Sequence, residues 1–299
     1  MRRRYPHLGL ALGIWALAGC AGPTSGLSIT TTAANGAREQ IPAAVAKPDG
    51  AGPFPAVVIM HDCSGLGPRS SGAPGRWATE LVGRGFVVLI PDSFTTRGFA
   101  AGVCTDASRG RGDVGHFHRV RDAYAALAYV RTLSYVDGSR VGVMGGSHGG
   151  STVLATMIAP SRDMAPGAGD RRRGFAASVA LYPACATRGL RDPSGGYKPR
   201  APLLILIGDK DDWTPAEPCR QLADAAQRAG QPLAIKIYPG AHHSFDSPYP
   251  VRYVPARINA SSPTGRGATT GGDPQAWADS IREVGAFFDR HLGNEQRGR

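Results

Sequence analysis

The sequence predicts a single α/β domain in which a mostly parallel central sheet carries helices on both faces. Three observations lead there. Short apolar runs, such as Ala56-Val57-Val58-Ile59-Met60 and Phe86-Val87-Val88-Leu89-Ile90, are continuous rather than alternating, as expected for strands buried on both faces. Segments with apolar residues three and four apart separate these runs, giving a strand–helix alternation. A chain of 299 residues with 42% hydrophobic residues is long enough to bury one substantial core around such a sheet.

Taken in order, residues 1–19 read as an export signal. Arg2, Arg3 and Arg4 form a charged start, Leu8 to Leu17 is an apolar stretch too short to span a bilayer stably, and Leu17-Ala18-Gly19-Cys20 follows. Those four residues resemble a bacterial lipobox, whose cysteine is diacylated and becomes the mature N-terminus. Cys20 is therefore expected to anchor the protein by lipid in the cell envelope, facing the periplasm or exterior. An ordinary secretory signal is the alternative. Residues 20–36, rich in Gly, Ser, Thr and Ala, are expected to form a flexible tether. The folded domain is expected over 37–293, with a short tail at 294–299.

Further strands are expected at Arg140 to Met144, Ala176 to Leu181, Leu203 to Ile207 and Leu233 to Tyr238. Trp77 and Leu81 mark a helix closed by Gly85. Phe117, Val120, Tyr124, Leu127 and Val130 mark a second. Thr214-Pro215-Ala216-Glu217 reads as a capping box with proline at the first helical position. Asp273-Pro274 caps a last helix, whose stripe of Trp277, Ile281, Val284, Phe287, Phe288 and Leu292 ends at Gly293. Residues 162–174 and 246–272 are expected to be loops, and the second is long enough to suggest function or mobility.

The formal net charge of +11 falls to +8 if residues 1–19, which hold three arginines and no acid, are removed. Nucleic acid is not the expected partner: the basic residues are scattered, and the one dense run, Arg171-Arg172-Arg173, lies in a glycine-rich stretch without a stacking aromatic motif. A basic surface is compatible with anionic lipid head groups. Beyond Cys20 four cysteines remain, Cys63, Cys104, Cys185 and Cys219, which suits disulfides in an exported protein. Three connectivities are possible. Pairing neighbours, 63 with 104 and 185 with 219, closes the shortest loops and is the expected pattern, each bond stabilising by roughly 4 kcal/mol on the loop-entropy argument. No C-x-x-C pair supports zinc, and His116-x-His118 and His242-His243 have simpler readings as exposed or catalytic positions. Neither a metal nor a cofactor is expected.

Gly145-Gly146-Ser147-His148-Gly149 matches G-x-S-x-G, a weak signal alone in a chain with 41 glycines. Its context strengthens it, because an apolar strand runs into the motif and Thr152, Val153, Leu154 and Met157 continue as a helix. Such a sharp turn lifts the Ser147 hydroxyl clear of the sheet and sets it at a helix N-terminus, where the His148 NH favours developing negative charge. A serine hydroxyl needs a base within reach. His243, just past a predicted strand, is the candidate. In this arrangement the order is serine, acid, histidine, so the acid belongs to Gly208-Asp209-Lys210-Asp211-Asp212 at the carboxyl end of a strand. Spacing alone leaves Asp209, Asp211 and Asp212 open.

From about Pro55 to Leu292 the chain resembles the dienelactone hydrolase family of the α/β hydrolases. The elbow Gly145-x-Ser147-x-Gly149, the Gly208-x-x-Asp211 segment ending at Pro215, and His243-Ser244-Phe245 match that family's triad segments in order and spacing. The resemblance implies Asp211 as the triad acid. It also implies the backbone NH of Cys63, in His61-Asp62-Cys63-Ser64-Gly65, as the oxyanion donor that joins the NH of His148. Two departures stand out: the namesake enzymes carry cysteine where this chain has Ser147, and their glutamate after the first strand is replaced by Asp62. Hydrolysis of carboxylic esters or lactones needs only the triad and the oxyanion hole, and it is the expected activity. Acyl transfer or peptide cleavage by the same triad, and a non-catalytic envelope lipoprotein on the same fold, are the alternatives.

Overall fold

The computed structural model describes residues 24–33, 35–106, 114–158, 174–190 and 196–293. Eight strands form the central sheet: β1 (Thr24–Thr32), β2 (Arg38–Ala46), β3 (Phe54–Met60), β4 (Val87–Pro91), β5 (Val136–Gly146), β6 (Ala177–Leu181), β7 (Leu203–Gly208) and β8 (Leu233–Tyr238). They lie in the order β1-β2-β4-β3-β5-β6-β7-β8. The pairs β1·β2 and β2·β4 are antiparallel, and every pair from β4 through β3 to β8 is parallel. This is the α/β-hydrolase fold, and each of the six apolar runs read as a strand is one. Among the described residues five α-helices accompany the sheet: α1 (Ala73–Gly83), α2 (Arg119–Val130), α3 (His148–Ile158), α4 (Ala216–Arg228) and α5 (Pro274–Leu292).

The parallel strands are apolar throughout because helices cover both faces. Val57, Val58, Val143, Ile205 and Leu206 are fully buried. The α1 and α5 helices meet through an edge-to-face Trp77–Trp277 pair, while α2 and α3 pack together over β3 and β5. On α5 the predicted stripe faces the sheet. Its Val284, Phe288 and Leu292 are completely buried, each contributing about 1.5–3 kcal/mol. Asp273 caps this helix as expected, accepting from the NH groups of Gln275 and Ala276. Gly85 closes α1 at φ +91°.

Five expectations need correction. Residues 24–32 do not form a tether: Leu27, Ile29 and Thr31 alternate inward, so β1 pairs with β2, and the Thr31 hydroxyl donates to Asp122. The folded domain therefore begins well before residue 37. Residues 246–272 are not a plain loop either, since β9 (Arg252–Ile258) and β10 (Arg266–Thr270) form an antiparallel hairpin. Phe117 precedes α2 and is exposed, so the stripe of that helix begins at Val120. His116, read as exposed, is half-buried. Thr214 makes no capping box: Pro215 occupies the cap of α4 without a side-chain bond, and the Thr214 hydroxyl turns into the site instead. Residues 1–19 with Cys20, most of 162–174 with Arg171 to Arg173, and the tail at 294–299 lie outside the described residues.

Candidate active site

Ser147 stands on the turn between β5 and α3 at φ +53°, a left-handed conformation costly for a non-glycine residue. The flanking glycines explain how the turn fits. A Cβ on Gly149 would lie 2.0 Å from the Met60 carbonyl oxygen, and one on Gly145 would lie 2.6 Å from that same atom. Only hydrogen at these positions lets the elbow close against the end of β3. The acid and base loops meet in the same way, since a Cβ on Gly208 would lie 2.0 Å from the Ala241 carbonyl oxygen.

These turns bring the three expected side chains together. The Ser147 Oγ lies 2.9 Å from His243 Nε2, and His243 Nδ1 lies 2.8 Å from Asp211 Oδ2. Both Asp211 and His243 are buried. Asp211 is held by the NH groups of Trp213 and Thr214 on Oδ1, and Thr214 Oγ1 lies 2.9 Å from Oδ2. The two neighbouring aspartates do other work. Asp209 accepts from the NH of Gly240, and Asp212 binds the NH and hydroxyl of Thr269 on β10. Asp62, which replaces the family glutamate, accepts from the Ser64 NH and from the hydroxyls of Ser64 and Ser71.

A cavity of about 620 Å³ opens over Ser147, bordered by Cys63, Cys104, His148 and Trp213. Both expected disulfides are present, Cys63–Cys104 and Cys185–Cys219; Cys63, Cys104 and Cys185 line this cavity, while Cys219 is buried in the core. Cys63 and His148, whose NH groups were read as oxyanion donors, therefore face the same space as the serine.

Sequence reasoning missed Arg119. Its guanidinium is completely buried under the site, with Nη1 2.8 Å from His148 Nδ1 and Nη2 2.8 Å from the His61 carbonyl oxygen. Because a guanidinium only donates, His148 must accept at Nδ1 and carry its proton on Nε2. One side chain thus ties the elbow residue His148 to the strand end that leads into Cys63. Burial and the Arg119 charge hold the imidazoles of His61 and His148 well below their usual range, so both are neutral. A signal existed: Arg119 stands four residues before Ala123 on the apolar face of a helix, where an unpaired charge is unexpected.

The β9–β10 hairpin was also missed as part of the site. The Gly271 NH donates to the His243 carbonyl, the Trp213 indole NH donates to Ile258, and the Ile258 NH donates to Cys104. Asn259 reaches the Asp212 carbonyl. The hairpin therefore fastens the acid loop, the base loop and the Cys104 loop to one another. Trp213 also lies with its ring 4.7 Å from that of His243.

A parallel sheet with a serine elbow, and a histidine and a carboxylate arriving from later strand ends, defines an α/β hydrolase. The sequence profile of the dienelactone hydrolase family matches residues 41–291, and the chain belongs to that family. It is accordingly a hydrolase acting on carboxylic ester or lactone bonds. A protein of Methylorubrum extorquens named provisionally as a carboxymethylenebutenolidase is 26% identical over 71% of this chain and 70% of its own. The rice acylamino-acid-releasing enzyme 2 is 27% identical over 80% of this chain but only 30% of that enzyme. Among solved structures, the dienelactone hydrolase-like promiscuous phosphotriesterase P91 from metagenomic libraries superposes with a TM-score of 0.64 at 21% identity, covering 91% of this chain and all of that one. Thermogutta terrifontis esterase 2, phosphorylated by paraoxon, gives 0.61 at 19% identity over 93% and 97%. At these identities the structural likeness concerns the fold.

Proposed function

We propose that the protein hydrolyses carboxylic esters or lactones through an acyl-enzyme on Ser147. The observation that carries this reading is the unbroken contact chain from Ser147 Oγ through His243 to Asp211. His243 Nε2 takes the hydroxyl proton as Oγ attacks the carbonyl carbon. The tetrahedral oxyanion is held by the NH groups of Cys63 and His148. Collapse breaks the bond to the leaving oxygen, which receives the proton from Nε2. Water then attacks the acyl-enzyme, giving its proton to His243, and release of the carboxylic acid restores Ser147. Asp211 keeps the Nδ1 proton in place and stabilises the imidazolium that forms.

A fluorophosphonate probe should label wild-type protein and fail to label Ser147→Ala, since labelling requires an activated serine. An unlabelled, folded wild type would defeat the reading in favour of a non-catalytic envelope protein. A panel of nitrophenyl esters and lactones then ranks acyl groups.

The cell-envelope location is part of the same proposal. Arg2 to Arg4, the apolar stretch to Leu17 and Leu17-Ala18-Gly19-Cys20 support lipidation of Cys20, and two disulfides suit an oxidising compartment. Cys20→Ala should release the protein from the membrane fraction or leave it unprocessed. Wild-type protein without lipid by mass spectrometry would sink the idea.

A further inference from the structure

A second cavity, of about 320 Å³, lies beside the catalytic one, and Cys104 borders both. Its walls carry Arg69, Arg76, Arg252 and Arg257 against two acids, Asp62 and Asp246. Both acids are already engaged. Asp62 accepts from Ser64 and Ser71, while Asp246 accepts from the Trp77 indole NH and the Tyr182 hydroxyl. Arg76 is taken up by the carbonyls of Ser71 and Asp246.

Arg257 is different. Its half-buried guanidinium stacks 5.1 Å from the Trp213 ring, yet it has no hydrogen bond or ion pair among the described residues. Its Nε is buried and unpartnered. Burial lowers its proton affinity, and the like charge of Arg252 lowers it further, with Asp62 the one acid that opposes them. Arg252 and Arg69, which border the same space, are exposed and have no polar partner among the described residues. The buried Nε of Arg257 is the group that calls for a partner, because a buried donor left unsatisfied has no compensation for its lost solvation.

We propose that this cavity is a binding site for an oxyanion group, a carboxylate or a phosphate, held by Arg257 and Arg252 outside the catalytic cavity. The planar guanidinium fork matches two oxygens of such a group, and the hydroxyls of Ser70 and Ser244, which line the same space, supply further donors. The volume admits more than a bare ion. Through Trp213, which contacts both Arg257 and His243, an occupant would brace the base. Two sources share this chemistry: the anionic end of an extended ester substrate and a free small anion. The first rests on the ester-hydrolase reading; the second does not.

Two measurements decide. Inorganic phosphate is titrated calorimetrically at constant ionic strength into wild type, Arg257→Gln, Arg252→Gln and, as a control, Arg228→Gln on the exposed face of α4. Nitrophenyl monoesters of dicarboxylic acids of increasing length are then compared with their neutral methyl-capped counterparts. Phosphate should saturate the wild type, with Kd raised about tenfold or more in either site variant and unchanged in the control, the size expected for losing a charge-assisted bond. For a substrate-borne group, the ratio of kcat/KM between charged and neutral esters should fall about tenfold in Arg257→Gln at one chain length. An unchanged ratio with arginine-dependent phosphate binding assigns the site to a free anion. Phosphate binding indifferent to both arginines, together with an unchanged ratio, overturns the proposal. Failure of the wild type to cleave any ester would instead strike the hydrolase reading, and the phosphate titration would still decide the site.

Discussion

The two sides of the catalytic cavity are held by different means. On the serine side, backbone lies against backbone: Gly145 and Gly149 press on the end of β3, and buried Arg119 ties His148 to the His61 carbonyl. On the acid and base side, Gly208 presses on Ala241 and Gly272 on Ser247, but the acid, base and Cys104 loops are fastened to one another by hydrogen bonds from the β9–β10 hairpin. A nucleophile on a strained turn needs a support that cannot relax, which close packing of the sheet provides. Loops at a sheet edge lack that packing, so polar contacts from an added hairpin hold them. Damage to the first side should therefore cost turnover heavily, and damage to the second should cost it in steps.

The largest effect breaks both sides at the point where they meet. Asp211→Asn should reduce kcat/KM on an activated ester by about four orders of magnitude with the fold intact by circular dichroism, because the histidine tautomer is then wrong. Ser147→Ala and His243→Ala should be as damaging, and combining them should add little. Near-wild-type turnover in Asp211→Asn would detach the acid from the site.

The serine side was the more legible in the sequence, and for a physical reason. Gly145, Gly149 and the apolar run before Ser147 are constrained by backbone geometry, and such constraints are local and leave a residue pattern. The acid could be narrowed to Asp209, Asp211 or Asp212 by strand-end placement, but choosing among them needed the family resemblance, since adjacent carboxylates differ only in where they point. The hairpin stayed hidden because Arg252 to Ile258 and Arg266 to Thr270 are rich in polar and small residues. Their contacts are long-range hydrogen bonds, such as Gly271 to His243, that no local pattern encodes. The β1 strand was hidden by composition: threonine and serine read as a tether, although Leu27, Ile29 and Thr31 alternate.

Acid should loosen the serine side first. Burial lowers the imidazoles of His61 and His148 well below the usual value and that of His116 to about 4. As pH falls through about 6.5, the unfolded chain takes up protons that the folded protein refuses, so stability drops, by at most about 1.4 kcal/mol per pH unit for each histidine. Asp246, whose carboxyl burial raises, works in the opposite direction, while His291, lowered by burial and by the Arg290 charge, adds to the three. Urea midpoints should fall steadily from pH 7 to pH 5. Midpoints that stay flat across that range would show that these histidines are charged in the folded protein.

Removing the tie across the serine side should have the next effect. Arg119→Met leaves the His61 carbonyl and His148 Nδ1 without a donor, so the expected oxyanion donors at Cys63 and His148 lose their common brace. We expect kcat to fall about 100-fold, comparable with loss of one oxyanion donor, while KM for a small neutral ester stays within about threefold. Arg119→Lys, which keeps one donor, should recover part of the loss. A purely structural role would lower stability and leave the kcat of the folded fraction near that of the wild type.

The smallest effect belongs to the hairpin and separates Asp212 from Asp211. Asp212 grips Thr269 twice, through the backbone NH at 2.8 Å and the hydroxyl at 2.7 Å, and the contact is exposed. Asparagine can reproduce both bonds, its oxygen accepting from the NH and its amide donating to the hydroxyl, so Asp212→Asn should stay within about threefold of wild type. Alanine reproduces neither. Two ordinary hydrogen bonds contribute about 1 kcal/mol each, and losing them frees β10 from the acid loop while the Gly271–His243 bond remains. Asp212→Ala should therefore lower kcat by about tenfold, with little change in unfolding midpoint because the hairpin lies outside the central sheet. The test is kcat/KM for both variants beside Asp211→Asn under one set of conditions. If Asp212→Asn is as crippling as Asp211→Asn, the hairpin bond is not what this carboxylate supplies, and the acid would have to be reassigned by one residue. If Asp212→Ala is indistinguishable from wild type, the hairpin does not position the base, and the contrast between the two sides of the cavity fails at its weaker half.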